Sequence, residues 1–171
     1  YSFTIYTSTA ELPANWDDLS ISTVFLSKSY LEVLERSCPE NMLCNFIGIF
    51  DDEILVGIAV SQFLNLNKLE SFGERDKCVK TVVRNIVFRN FASHVLVIGN
   101  NMLTGQNAYA FANLVDKKKA TQALHDATNQ LKKTFESKGI PIHITTYKDF
   151  SDQEIKNFET PAFKKDYQFS T

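Results

Sequence analysis

Neither sign of charge is in excess in this chain, and that excludes a first class of function. Lys and Arg number 18 against 20 Asp and Glu, for a net charge of −2. No global basic field is there to hold nucleic acid, so a nucleic-acid partner is not expected. Long apolar runs are missing too. None reaches the length that spans a bilayer, and no signal-peptide pattern opens the chain. The 171 residues contain no internal repeat, low-complexity tract or Pro/Ser-rich linker, which favours one domain over residues 1–171 with a sizeable core. Cysteine is scarce. Cys38, Cys44 and Cys78 form no CxxC pair, and no His stands at metal-ligand spacing from them, so no metal site is expected. Cys44 lies in an apolar run and Cys78 begins another, as buried reduced thiols of a reducing, cytoplasmic compartment do.

What is present is an ordered run of elements. Ser2 to Thr7 alternates apolar and polar residues and reads as a first strand. Pro13 to Leu19 forms a short helix. Ser27 is a candidate N-cap for the next one, and Ser29 with Glu32 has capping-box spacing; that helix stops at Cys38-Pro39. Phe46 to Phe50 and Ile54 to Phe63 are strands joined by a tight acidic turn, and Gly57 in the second leaves room for a bulge or a close neighbour. Val79, Val82, Val83, Ile86 and Val87 repeat at helical spacing. Val95 to Ile98 is a continuous apolar run, as in a central strand covered on both faces. Asp116 caps a long helix whose buried stripe is Ala120, Leu124, Ala127, Leu131 and Phe135 and whose stop is Gly139. Ile140 to Tyr147 is a further strand. Ser151, with Glu154 three residues on, caps a short helix, and the chain closes with Pro161, a basic turn and the strand-like Tyr167-Gln168-Phe169.

Strand, loop and helix N-terminus in that order are the makings of a binding site. The loop Gly99 to Gly105 offers glycines for close backbone approach and Asn100, Asn101 and Thr104 for hydrogen bonds; a tight turn whose Asn side chains serve their own backbone is the competing reading. Lys117, Lys118 and Lys119 sit in a first helical turn, where the dipole disfavours cations and a bound phosphate would offset that cost; an exposed, solvated face explains them equally. Tyr147 lies at the C-terminal end of a strand, where clefts open in α/β sheets. Glu70, Glu74 and Asp76 offer a base for an amine nucleophile or are plain loop charges. Arg75, Lys77, Lys80, Arg84 and Arg89 read as a solvated face, and His94, His125 and His143 as structural or surface residues.

The stretches FLSKSYLEVLERSCP and NFIGIFDDEILVGIAVSQF, set in the order strand, helix pair, hairpin, strand, loop, helix, strand, helix, resemble the acyl-CoA N-acyltransferase superfamily, the GNAT-like fold. Within it they are similar to bacterial proteins related to the Fem-type peptidoglycan aminoacyl transferases, which often carry two such units in tandem. The resemblance implies an α/β (α+β) fold with a mixed, mostly antiparallel central sheet, splayed at its fourth long strand, and helices on both faces. It implies acyl-CoA as cosubstrate, with its pyrophosphate on amides at the start of the helix after Asp116. An amine would accept the acyl or aminoacyl group, and Tyr147 would be the acid that protonates the departing thiolate. The superfamily's pyrophosphate loop reads Arg/Gln-x-x-Gly-x-Gly/Ala, whereas this chain has Gly99-Asn100-Asn101-Met102-Leu103-Thr104-Gly105. Two readings follow: an acyltransferase, or a catalytically degenerate GNAT-like module. In the second, the chain is the N-terminal half of a longer protein and partners a second, catalytic domain.

Overall fold

A computed structural model describes residues 1–68, 92–103, 105, 108–148 and 152–168. Its longest pairing is a hairpin of β2 (Met42–Asp51) and β3 (Ile54–Asn65). Asp52 in the turn adopts φ 52°, the left-handed conformation that a tight hairpin needs and that Asp tolerates. β1 (Ser2–Tyr6) adds antiparallel outside β2. Two short strands share the other edge of β3: β4 (His94–Ile98) pairs with Ser61 to Asn65, and β5 (Tyr109–Phe111) with Gly57 to Ala59. β6 (Ile144–Tyr147) runs parallel to β4. The result is a six-stranded, mostly antiparallel open sheet of order β1-β2-β3-β4-β6, with β5 on β3.

Period-two alternation sends the strand side chains to two cores. Ile47, Ile49, Val56, Ala59, Phe63, Leu96 and Ile98 pack against α2 (Lys117–Ser137) through Leu124, Ala127, Leu131 and Phe135, the stripe expected from the sequence. Phe46, Leu55, Ile58 and Val60 face the opposite way. They meet Trp16, Leu26, Leu31 and Leu34 from the 3-10 turns Ala14–Leu19 and Val24–Leu26 and from α1 (Lys28–Arg36). A register shift at Ile49/Phe50 adjoins Gly57, and a Cβ on Gly57 would come within 2.8 Å of the Phe111 ring. The glycine therefore admits both the irregularity and the neighbour.

Several ends differ from expectation for local reasons. Ser27 caps α1 by accepting the Tyr30 amide, so Ser29 falls inside the helix and forms no capping box; Glu32 pairs with Arg36 instead, at 2.6 Å. A capping box does occur at Ser8 and Glu11, ahead of the 3-10 turn Thr9–Glu11. β6 is shorter than the predicted strand. The Ile140 amide turns back to the Phe135 carbonyl to close α2 behind Gly139, and Pro141 has no amide to give. After α3 (Asp152–Phe158), the predicted basic turn is the helix α4 (Pro161–Asp166), capped by Thr160. The predicted helix over residues 79–87, the acidic residues Glu70, Glu74 and Asp76, the basic stretch from Arg75 to Arg89, Cys78 and the Ser151 cap lie outside the described residues.

Two predictions follow from this packing. Leu124 is fully buried between α2 and the sheet. Leu124→Ala should lower the unfolding free energy by about 2–5 kcal/mol in denaturant titration. A loss below about 1 kcal/mol would contradict a close-packed α2 interface. The second concerns His143. Its Nδ1 accepts the amides of Ser93 and His94, each at 3.2 Å, and its ring stacks on His94 at 5.0 Å. Burial first, and then the neighbouring His94, hold His143 below the ordinary histidine value of 6.5. A depressed folded pKa makes the contribution complete above that ordinary value and lost as pH falls below it. The melting temperature should therefore drop on acidification from about pH 7 to about pH 5. His143→Asn keeps an acceptor without a titrating ring and should flatten that slope. Identical slopes would remove His143 from the account.

Candidate functional site

The site begins where β4 stops and β5 starts. Ile98 lies opposite Ser61 and Tyr109 opposite Ala59. Between them both backbone groups of Val60 are used: its carbonyl accepts the Gly99 amide at 2.9 Å, and its amide donates to the Ala108 carbonyl at 3.0 Å. β4 and β5 are thus one interrupted edge, which the described residues 100–103 leave after Gly99. Gly99 makes the junction, with φ 130° and with Ala108 and Lys148 each 3.3 Å from where a Cβ would stand. A side chain there would be strained by its backbone and crowded by both neighbours.

β6 follows β4 only as far as this junction. Its last bond runs from the Lys148 amide to the Ile98 carbonyl at 3.1 Å. Among the described residues β5 pairs with β3 alone, so its outer edge is open. A cavity of about 160 Å³ lies there, lined by Ser22, Ala108, Tyr109, Ala110, Phe111, Lys117 and Glu154. Three elements set its chemistry. β5 supplies Tyr109, whose hydroxyl is buried. α3 supplies Glu154, and the first residue of α2 supplies the exposed Lys117. Burial, then the Glu154 carboxylate, push the Tyr109 pKa well up, so this phenol keeps its proton across the physiological range. A proton donor and a carboxylate acceptor therefore face one small cavity.

The residues singled out from the sequence do not all meet here. Gly99 is at the junction and Lys117 is on the cavity. Lys118 and Lys119 are exposed, and their amides donate to Asp116 Oδ1 at 3.1 and 3.2 Å. Two of the amides expected to hold a phosphate are thus already served by the helix cap. Asn100 is 2% exposed and turns to the α1 face. Its Nδ2 donates to Tyr30 Oη at 3.0 Å, and its Oδ1 accepts the Met102 amide at 2.9 Å and Gln62 Nε2 at 3.5 Å. The Asn101 amide donates to Gln62 Oε1 at 2.7 Å, while the Asn101 side chain and Gly105 are exposed. Thr104 lies outside the described residues. No hydrogen bond among the described residues joins Asn100 or Asn101 to the three lysines.

Tyr147 occupies a different compartment. Its hydroxyl donates to Thr128 Oγ1 at 2.6 Å, and its ring lies edge-on to Phe158, Phe163 and Tyr167, 5.0 to 5.9 Å away. Burial, then Tyr167, raise its pKa well above the tyrosine range. His125 pins the same cluster to α2, with Nε2 3.0 Å from Asp166 Oδ2 and its ring against Phe163 and Tyr167.

Tyr109 was not singled out in sequence reasoning, and Glu154 entered only as a helix-capping partner. The one available signal was Tyr109-Ala110-Phe111, a three-residue alternation too short to establish a period. Among the described residues no group of three or more His, Cys, Asp or Glu is placed to hold a metal ion, and no helix is long and apolar enough to cross a membrane. Comparison with protein families, with characterised proteins and with solved structures finds no match for this chain.

Proposed function

We propose that the chain is a GNAT-like acyltransferase domain whose acyl donor and amine acceptor meet beside the open edge of β5. The observation that carries this reading is the pairing of Tyr109 and Glu154 on a cavity beside β5. In an antiparallel ladder, amides alternate between the partner strand and the free edge. Ala108 O and Ala112 N are bonded to β3, so the amides of Tyr109 and Phe111 turn to the free edge. They are the donors for an oxyanion on the acyl carbon. Glu154 takes the proton of the attacking amine, Tyr109 gives one to the departing thiolate, and Glu154 then returns its proton to the Tyr109 phenolate so that both are restored. Nitrogen replaces sulfur on the acyl carbon, and one proton passes through each side chain. Acyl-CoA is the proposed cosubstrate, with Lys117 beside its phosphates.

One observation favours a second reading. The Asp116 carboxylate already holds the first amides of α2, where this superfamily seats its pyrophosphate. A catalytically degenerate module, serving a second GNAT-like domain, has no need of those amides.

Titration calorimetry with acetyl-CoA and longer acyl-CoAs, followed by transfer assays over a panel of amines, separates the two. The acyltransferase reading expects heat at micromolar donor and turnover that falls about 10²–10⁴-fold in Tyr109→Phe with the fold intact. Tyr147→Phe should leave turnover in place and cost about 1 kcal/mol of stability, the net worth of its bond to Thr128. If Tyr147→Phe abolishes turnover and Tyr109→Phe does not, the roles of the two tyrosines are reversed. Absence of heat, of a melting shift and of turnover with every donor would select the degenerate module.

A further inference from the structure

Cys38 and Cys44 stand on the α1 face, away from the cavity. Cys38 follows the end of α1 in an irregular segment, and Cys44 is on β2. Their Sγ atoms are 3.5 Å apart, and both residues are partly exposed and free. The pair belongs to a continuous chain of hydrogen bonds. Cys38 Sγ donates to the Met42 carbonyl at 3.4 Å, and Gln62 Nε2 donates to Cys44 Sγ at 3.9 Å. Gln62 is fully buried and sits across the ladder from Cys44. Its remaining bonds go to Asn100 Oδ1 and, through Oε1, to the Asn101 amide. The sulfur pair is therefore one side chain away from the loop that leaves the sheet at Gly99.

We propose that Cys38 and Cys44 are an oxidisable dithiol, closed to a disulfide by small-molecule disulfides, and that closure loosens the loop at residues 100–103 through Gln62. A disulfide needs the sulfurs about 2.05 Å apart, so they must approach by about 1.5 Å. The irregular segment carrying Cys38 supplies part of that movement, and a turn of the Cys44 side chain on β2, which at that point is paired with β3, supplies the rest. Burial, then Cys38, push the Cys44 thiol up to about 12, which makes Cys38 the first nucleophile and Cys44 the resolving thiol. With oxidised glutathione, Cys38 loses its proton to solvent and its thiolate attacks the disulfide, expelling one glutathione thiolate. Cys44 then loses its proton and attacks Cys38 Sγ in the mixed disulfide, expelling the second. Two protein thiols become one disulfide while one glutathione disulfide becomes two thiols. Drawing the Cys44 sulfur toward Cys38 takes an acceptor from the buried Gln62 amide, whose other bonds are the anchors of Asn100 and Asn101.

The test is equilibration of the 171-residue chain in oxidised and reduced glutathione, acid quench, alkylation and peptide mapping by mass spectrometry, in the wild type and in Cys78→Ser. The expected product joins the Cys38 and Cys44 peptides with the loss of two hydrogens, and reverts with dithiothreitol. Hydrogen exchange of the same samples should show the Asn101 and Met102 amides exchanging about tenfold faster in the oxidised form. Cys44→Ser should stop at a glutathione adduct on Cys38 and show no such change. Free, alkylatable thiols in excess oxidised glutathione, or a stable wild-type adduct that never resolves, would overturn the dithiol. So would a wild-type disulfide that uses Cys78 in place of either partner. A Cys38–Cys44 bond with unchanged exchange at Asn101 and Met102 would overturn the coupling to the loop.

Discussion

Val60 spends both of its backbone hydrogen bonds on the interruption between β4 and β5, and the arrangement of the candidate site depends on that one residue. Its carbonyl holds Gly99 and its amide holds Ala108. With those two points fixed on one residue of β3, the partner along that edge changes from β4 to β5. The same fixation decides where β6 ends. Lys148 closes its ladder on Ile98, and the next stretch of edge belongs to β5, which β6 does not reach. The cavity lies along that stretch of β5, lined by Ala108 to Phe111. Buried backbone groups must be paired, and here the pairing fixes where β4 gives way to β5.

The two faces of β3 carry this geometry in different ways. Toward α2 the contacts are apolar and extensive, and they give the sheet its rigidity. Toward α1 they become polar near Gln62, where Asn100, Tyr30 and the cysteine pair gather. Buried amides of this kind fix one arrangement because each lost partner is costly. The loop after Gly99 is accordingly ordered by side-chain bonds to the α1 face, while the cavity on its other flank is walled by β5, α2 and α3.

The hairpin, the α2 stripe, the Asp116 cap and the Gly139 stop were legible in the sequence because each is a local pattern: period two, period 3.6, or a terminus signal. A mixed, mostly antiparallel sheet was what the resemblance implied, while the number and order of its strands were not legible. The interruption between β4 and β5 was not legible, since it is a register between segments far apart in the chain and leaves no compositional trace. Tyr147 was placed correctly at a strand end. The pleat, however, directs its hydroxyl to Thr128 on α2, and only tertiary packing reveals that direction. The cap at Asp116 was seen, as were the lysines behind it. That the carboxylate and a phosphate would compete for the same amides is a consequence of geometry that spacing alone does not state.

Glu154 belongs to neither of the two large cores. It rides on the seven-residue helix α3, whose Phe158 packs on the rings of Phe163, Tyr147 and Tyr109, in a cluster reinforced by the bond between His125 and Asp166. That attachment is small beside the interface between the sheet and α2. Short peripheral elements open at a lower free energy than the global fold. The acidic wall of the cavity is therefore a detachable part: an excursion that frees α3 and α4 leaves Tyr109 in place on an intact sheet, with its carboxylate partner gone. An aromatic latch is what holds the carboxylate at the cavity, and a melting curve dominated by the sheet would not register its loss.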